Sequence, residues 1–273
     1  MGHGWAMTLA LAIVVCFIAG RPAQAQSPTW SCYGPYGGRI RSMAISPEFG
    51  VDRTLWVGTE LNGLFVSTDG GLLWQSASGI PQGSAISSIV VSPSFAQDRT
   101  IFASTTEGAL FKSDDGGRSW APWGDDLPIW RINQLAISPT YGSDHTLLAA
   151  TNRGLYRSQN GGRSWSLIGP QTSAWSVAIA PRIGSDFTAY GGTEAGLYIS
   201  TDSAQSWGTL ALADQTVIAI ALSPDYANDR ALMVGTWQGA YFSSDGGASW
   251  QGPWLHDQIV SSALFSPGYP GDR

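Results

Sequence analysis

Aspartates recur along this chain at two fixed stations. A carboxylate can move a proton, hold a cation or staple a turn, so each station poses a chemical question. At the first, an aspartate follows a Ser-Pro or Ala-Pro pair at constant distance: Asp52, Asp98, Asp144, Asp186, Asp229 and Asp272. At the second it stands in the phrase Ser-x-Asp-x-Gly-x-x-Trp, as Ser67, Asp69, Gly71 and Trp74, then Ser113, Asp115, Gly117 and Trp120, then Ser243, Asp245, Gly247 and Trp250. Two copies depart. Asn160 replaces the acid among Ser158, Gly162 and Trp165, and Ser203-Ala204 replaces the glycine pair in the copy built on Ser200, Asp202 and Trp207. Asparagine keeps the acceptor oxygen and loses the charge, which suits a turn staple and not a catalytic acid. The expected role is therefore structural: the side-chain oxygen accepts backbone N–H groups of a tight turn. Gly71, Gly117, Gly162 and Gly247 supply the positive φ such a turn needs.

A second group of chemistry-bearing residues varies from repeat to repeat. It comprises Arg41, Glu60, Glu107, Asp126, Trp130, Arg131, Arg153, Trp175, Glu194, Trp237, Trp254 and Asp257, with Asp125, Asp214 and His256 nearby in sequence. Two carboxylates flanking a sugar cleft would suffice for glycoside hydrolysis. Tryptophans beside carboxylates also suit carbohydrate stacking, and Trp with Arg dominates protein interface hot spots. An alternative is that these tryptophans merely cap the repeats. No carboxylate pair has a spacing that marks it as acid and base, so no catalytic residue is assigned. One cysteine and two histidines beyond the N-terminal segment argue against a transition-metal site, and no metal or cofactor is expected. His145 occupies the place of Arg53 and Arg99 and reads as a surface substitution.

These residues must be positioned by the elements around them, and the elements repeat. The Ser-Pro stations are spaced by 46, 46, 42, 43 and 43 residues, counting Ala180-Pro181 as one of them. Such a period marks a repeat architecture. Short apolar runs at 42–45, 86–91, 132–137, 177–179 and 217–222 precede the Pro breaks and suit strands buried on both faces. A β-branched and aromatic second strand (54–59 and equivalents), a third (64–67) and a fourth around Trp74 follow, separated by glycine-rich turns. Four antiparallel strands every 40 to 45 residues is the pattern of a propeller blade. The fold class is all-β: five complete blades at about 39–80, 85–126, 131–170, 173–212 and 216–254, and the start of a sixth at 259–273. In such blades the variable loops emerge on one face, which makes that face the candidate binding surface. The composition agrees. Gly 34 and Trp 13 in 273 residues, with 12% charged residues, fit short buried strands and small turns. A net charge of −6 and a pI near 4.9 argue against a nucleic-acid partner.

The repeated Ser-x-Asp-x-Gly-x-x-Trp turn resembles the Asp-box, or BNR repeat, of sialidase-like propellers. The chain is also similar to the photosystem II assembly factor, sortilin and xyloglucanase types of propeller. The resemblance implies the fold; function differs among those families. A sialidase would need an Arg-Ile-Pro motif and converging arginines. The nearest match, Arg39-Ile40-Arg41, lacks the proline, and the arginines that recur, Arg53, Arg99, Arg118, Arg163 and Arg230, sit at repeat-equivalent positions expected to be surface ion pairs or solvated turns. The leading expectation is a binding or assembly module with a protein or glycan partner on the loop face. The alternative is a glycoside hydrolase of xyloglucanase or sialidase type.

The N-terminal segment is read separately. Residues 6–20 are an apolar run too short to span a bilayer, followed by Ala23-x-Ala25, a signal-peptidase type of site. A Sec-type signal over 1–25, export of residues 26–273 to the periplasm, cell surface or exterior, and no membrane span in the mature chain are expected. Cys16 would leave with the signal and Cys32 would remain alone, without a disulfide. Residues 29–35 resemble a fourth strand and could close the ring. The sixth repeat carries only its opening stretch, from which a fragment of a longer reading frame is expected.

Overall fold

The computed structural model describes residues 34–35, 38–124, 131–181 and 186–271. The expected signal segment, nearly all of the closing strand at 29–35, and Asp125, Asp126, Trp130 and Asp272 lie outside these residues.

Five four-stranded antiparallel sheets follow one another in the chain, each in simple sequential order. The first holds β1 (Ile40–Ile45), β2 (Leu55–Thr59), β3 (Leu64–Ser67) and β4 (Gln75–Ser76). The second holds β5 (Ile86–Val91), β6 (Ile101–Thr105), β7 (Leu110–Ser113) and β8 (Ala121–Pro122). The third holds β9 (Ile132–Ile137), β10 (Leu147–Thr151), β11 (Gly154–Ser158) and β12 (Ser166–Leu167). The fourth holds β13 (Ala174–Ile179), β14 (Ala189–Thr193), β15 (Gly196–Ser200) and β16 (Gly208–Ala211), and the fifth β17 (Val217–Leu222), β18 (Leu232–Thr236), β19 (Gly239–Ser243) and β20 (Gln251–Trp254). These are the blades of a β-propeller. The first strands of all five blades, together with residues 261–263, surround a central channel of about 410 Å³, whose lining mixes Ser, Asn and Gln side chains with apolar ones such as Met43, Leu135 and Ile220.

The second strand of each of blades two, three and four is wholly buried because blades pack on both of its faces. Hydrophobic clusters lie between blades, not within them. Trp56, Leu64 and Val66 of blade one meet Ile86, Ile89, Phe95, Phe111 and Trp120 of blade two, and the pattern recurs at the next three junctions. Inner strands are stapled across junctions by side chains. Ser42 Oγ donates to the Ile86 carbonyl, Ser88 Oγ accepts from Leu135 N–H, and Asn133 Nδ2 donates to the Ala174 carbonyl.

Two details differ from the sequence reading. The fourth strand starts after the box tryptophan and is very short in blades one to three. The tryptophan itself turns into the blade junction. The Ser-Pro stations also carry short helical turns, α1 (Phe49–Asp52), α2 (Phe95–Asp98), α3 (Tyr141–Asp144) and α4 (Tyr226–Asp229). Four residues are too few to show helical periodicity. The aspartate explains each turn: Asp52 Oδ2 accepts from Ser46 Oγ at 2.7 Å while Oδ1 accepts the Thr54 amide at 2.9 Å. The same pair of bonds recurs at Asp98, Asp144 and Asp229. Arg53, Arg99, His145 and Arg230 end these turns in the left-handed region. Their common position is thus a helix-cap geometry. Arg99 lies over the Phe95 ring and His145 packs edge-on to Tyr141, contacts that spacing alone did not suggest.

Candidate ligand-binding face

The box turns are built around two side chains. Ser67 Oγ donates to Asp69 Oδ1 at 2.8 Å and accepts the Gly71 amide at 2.8 Å. Asp69 Oδ1 also accepts the amides of Leu72 and Leu73. Asp115, Asp202 and Asp245 make equivalent bonds. Asn160 Oδ1 accepts from Ser158 Oγ and the Ser164 amide, so the uncharged copy keeps the geometry. The box tryptophans Trp74, Trp120, Trp165 and Trp250 donate Nε1–H to the carbonyls of Gly71, Gly117, Gly162 and Gly247. Where Ala204 replaces that glycine, Trp207 Nε1 is buried without an acceptor. The serine's role as hub is what sequence reasoning missed; its invariance among the five copies was the available signal.

These bonds hold the carboxylates below their ordinary range. At Asp245 the Ser249 hydroxyl, then the Ser249 amide and the Ser243 hydroxyl, lower the value from 3.8 to about 2. Asp202 is lowered by the Ser206 hydroxyl and amide, and Asp69 chiefly by the Leu73 amide. A folded value below the unfolded one contributes stability that is complete above the unfolded value and is lost as pH falls through the folded value. The urea midpoint of the chain should therefore fall between about pH 4 and pH 2. Asp245→Asn should blunt that fall, as Asn160 shows the amide to be a working substitute. A midpoint that stays level down to pH 2.5 would show these bonds to be energetically idle.

The loop face brings together part of the candidate set. On blade one, Arg41 Nη2 and Glu60 Oε1 pair at 2.9 Å, and that bond from Arg41 lowers the Glu60 value. Glu107 accepts from Thr106 Oγ1 and Glu194 from Thr172 Oγ1, each within its own blade. Arg131 leaves the start of β9 with its guanidinium over the Trp175 ring at 5.9 Å. Trp175, second residue of β13, meets Trp237 with ring centroids 6.4 Å apart and planes at 59°. Trp237 is 52% exposed, while Trp175 is partly buried and lines the channel. The Trp175 Nε1–H is buried without an acceptor. Three adjacent blades thus contribute one aromatic and cationic surface beside the channel.

Other candidates stand apart. Trp254 ends the outermost strand β20, half-exposed, and no ring contact joins it to Trp175 or Trp237 among the described residues. Arg153 occupies the β10–β11 turn, where its amide bonds Thr151 Oγ1. Asp257 follows β20 in a left-handed conformation. Among the described residues no three His, Cys, Asp or Glu side chains cluster as a metal site would require. No helix among them is long and apolar enough to cross a membrane.

No family model matches this chain, and no curated protein resembles it in sequence. Solved structures do share its fold. The GH74 xyloglucanase from Xanthomonas campestris superposes with a TM-score of 0.62 at 17% identity, over 79% of this chain and 37% of the enzyme. The extracellular domain of a one-component system from B. thetaiotaomicron gives 0.60 at 16% identity, over 80% of this chain and 28% of the other. YCF48 bound to D1 peptide gives 0.56 at 16% identity, over 79% of this chain and 66% of that one. The chain spans about a third of the length of the xyloglucanase and the extracellular domain. What it has in common with an enzyme, an extracellular domain and a peptide-bound propeller is one fold, the β-propeller.

Proposed function

We propose that this propeller is a binding module, exported by its N-terminal segment, that engages a protein or glycan partner through the loop face around Arg131, Trp175 and Trp237. One observation carries the reading: three blades converge where the exposed Trp237 meets the Trp175 ring, which carries the Arg131 guanidinium over it, beside the central channel. Such Trp and Arg groupings supply most of the energy at binding hot spots. Support also comes from the range of proteins sharing the fold, which includes a propeller with a bound peptide. A hydrolase reading has less support, because Glu60, Glu107 and Glu194 sit on separate blades and each bonds a neighbour on its own blade.

The test is to screen the chain on peptide and glycan arrays and to measure the best ligand by calorimetry. Trp237→Ala should weaken binding by about 30-fold or more, with the melting midpoint within about 2 °C of the parent. A ligand held equally well by Trp237→Ala would place the site elsewhere. Hydrolysis of xyloglucan or a sialoside by the chain would overturn the module reading.

A further inference from the structure

Blade three departs from the other blades at one corner, beside its box turn. Asn160 stands where the other copies carry Asp69, Asp115, Asp202 and Asp245, and Gln159 stands where blade two carries Asp114. Three residues before Asn160, on β11, comes Arg157. Val66, Ile199 and Phe242 hold that place in blades one, four and five, and Lys112 holds it in blade two. Blade three alone therefore combines a cation at this corner with a box turn that contains no acid. Arg157, Gln159 and Asn160 line a groove of about 440 Å³, within the size range of small-ligand pockets. Gln205 reaches it from blade four, and Ser164, Ser166 and Ile168 complete the lining among the described residues.

Arg157 is held in place by a bond that every junction between consecutive blades repeats. A side-chain donor of the earlier blade reaches the backbone carbonyl three residues after the box serine of the later one. Trp56 Nε1 donates to Gly116, Trp123 Nε1 to Gly161, Tyr190 Oη to Gly246 and Arg157 Nη1 to Ser203, the last at 2.7 Å. That bond fixes the guanidinium and leaves its charge unpaired, since no carboxylate forms an ion pair with Arg157 among the described residues. Blade two shows the same corner closed. Lys112 pairs with Asp114 at 2.6 Å, Trp123 takes the place of Ile168, and Lys112 and Arg163 each lie 4.6 Å from the Trp123 ring centroid. There the charge is neutralised and an indole fills the space; in blade three neither happens.

We propose that this groove binds a uronic-acid residue of an acidic polysaccharide. A planar guanidinium matches a carboxylate in charge and geometry. The Gln159 and Gln205 amides and the Ser166 hydroxyl can both donate to and accept from ring hydroxyls. Ile168 offers an apolar surface to the C–H face of a sugar ring. An acidic peptide side chain would engage the arginine and leave the amides and Ile168 idle, which favours the sugar. The site is separate from the loop face and does not depend on what binds there.

The test is calorimetry of the full chain with trigalacturonate, its methyl ester and hexaglutamate as probes. The acid should bind, and the ester about tenfold or more weaker, because esterification removes the charge and keeps the ring. Asn160→Asp restores a carboxylate that four other box turns already accommodate. It should lower the affinity about fivefold or more, with the melting midpoint within about 2 °C of the parent. Ile168→Trp copies Trp123 and should abolish binding by filling the groove. Trp237→Ala, on the loop face, should bind trigalacturonate as the parent does. Equal affinity for acid and ester overturns the site, as does an Asn160→Asp protein that binds like the parent. Hexaglutamate held as tightly as trigalacturonate, loss of binding in Trp237→Ala, or no binding at about 10 mM probe overturns it too.

Discussion

Trp56→Ala should cost about 3–5 kcal/mol of unfolding free energy, the largest single loss expected in this chain. Trp56 is fully buried at the junction of blades one and two, where its ring meets Phe95 edge-on at 5.4 Å. The fit leaves no slack: a Cβ on Gly117 would lie 2.2 Å from Trp56 Nε1. Truncation would leave a cavity that the neighbouring strands cannot close without breaking their ladders, and would strand the Gly116 carbonyl. Trp56→Phe keeps most of the ring contact and loses the hydrogen bond, for a further comparison at about 1 kcal/mol from the bond itself. Trp74→Ala removes an equally large side chain that is only partly buried, on the side of blade one where Ile40 and Met43 are exposed, and should cost clearly less. Urea unfolding of the three variants measures this directly. Equal losses for Trp56→Ala and Trp74→Ala would mean that burial between blades is not what stabilises the ring.

Gly192→Ala should be nearly as damaging, although it adds one methyl group. Gly192 lies mid-strand in β14 without a positive φ, so its need for glycine is one of space. An added Cβ would stand 2.3 Å from Ser176 Oγ, 2.6 Å from Val217 Cγ1 and 2.7 Å from the Val217 carbonyl oxygen. The first can rotate; the other two belong to the inner strand of blade five and can give way only if the junction opens. Overpacking of this kind costs about 1–3 kcal/mol, and more where backbone must move. Gly208→Ala, where nothing lies within 4 Å, is the control and should stay within about 0.5 kcal/mol. A Gly192→Ala protein with the parent's melting midpoint would show that the blades slide past one another freely.

Much of this architecture was legible beforehand because a repeat reports each element five times. The inner strands at 86–91, 132–137 and 217–222 were read with the bounds they have, since Pro breaks one end and a turn the other. Asn160 alone identified the box aspartates as turn residues. The helical turns after Ser-Pro were not legible, because one turn held by a Ser–Asp side-chain bond leaves no periodic pattern. Nor was the separation of the loop-face candidates. Trp237 and Trp254 look alike in sequence, yet one lies in the turn after the second strand of its blade, against Trp175, and the other ends the outermost strand.

The amino-acid sequence by itself determined the blade: strand order, turn chemistry and the station of every box residue follow from local hydrogen bonding and alternation within about 45 residues. The tertiary structure decided what happens between blades and which residue reaches across each junction. Those contacts join residues some 40 to 60 positions apart. A Trp, an Arg or a Tyr at any of three positions can satisfy the same carbonyl, so no fixed spacing records the partnership. The same holds for the candidate site, where Arg131, Trp175 and Trp237 meet only because three sheets twist around one channel.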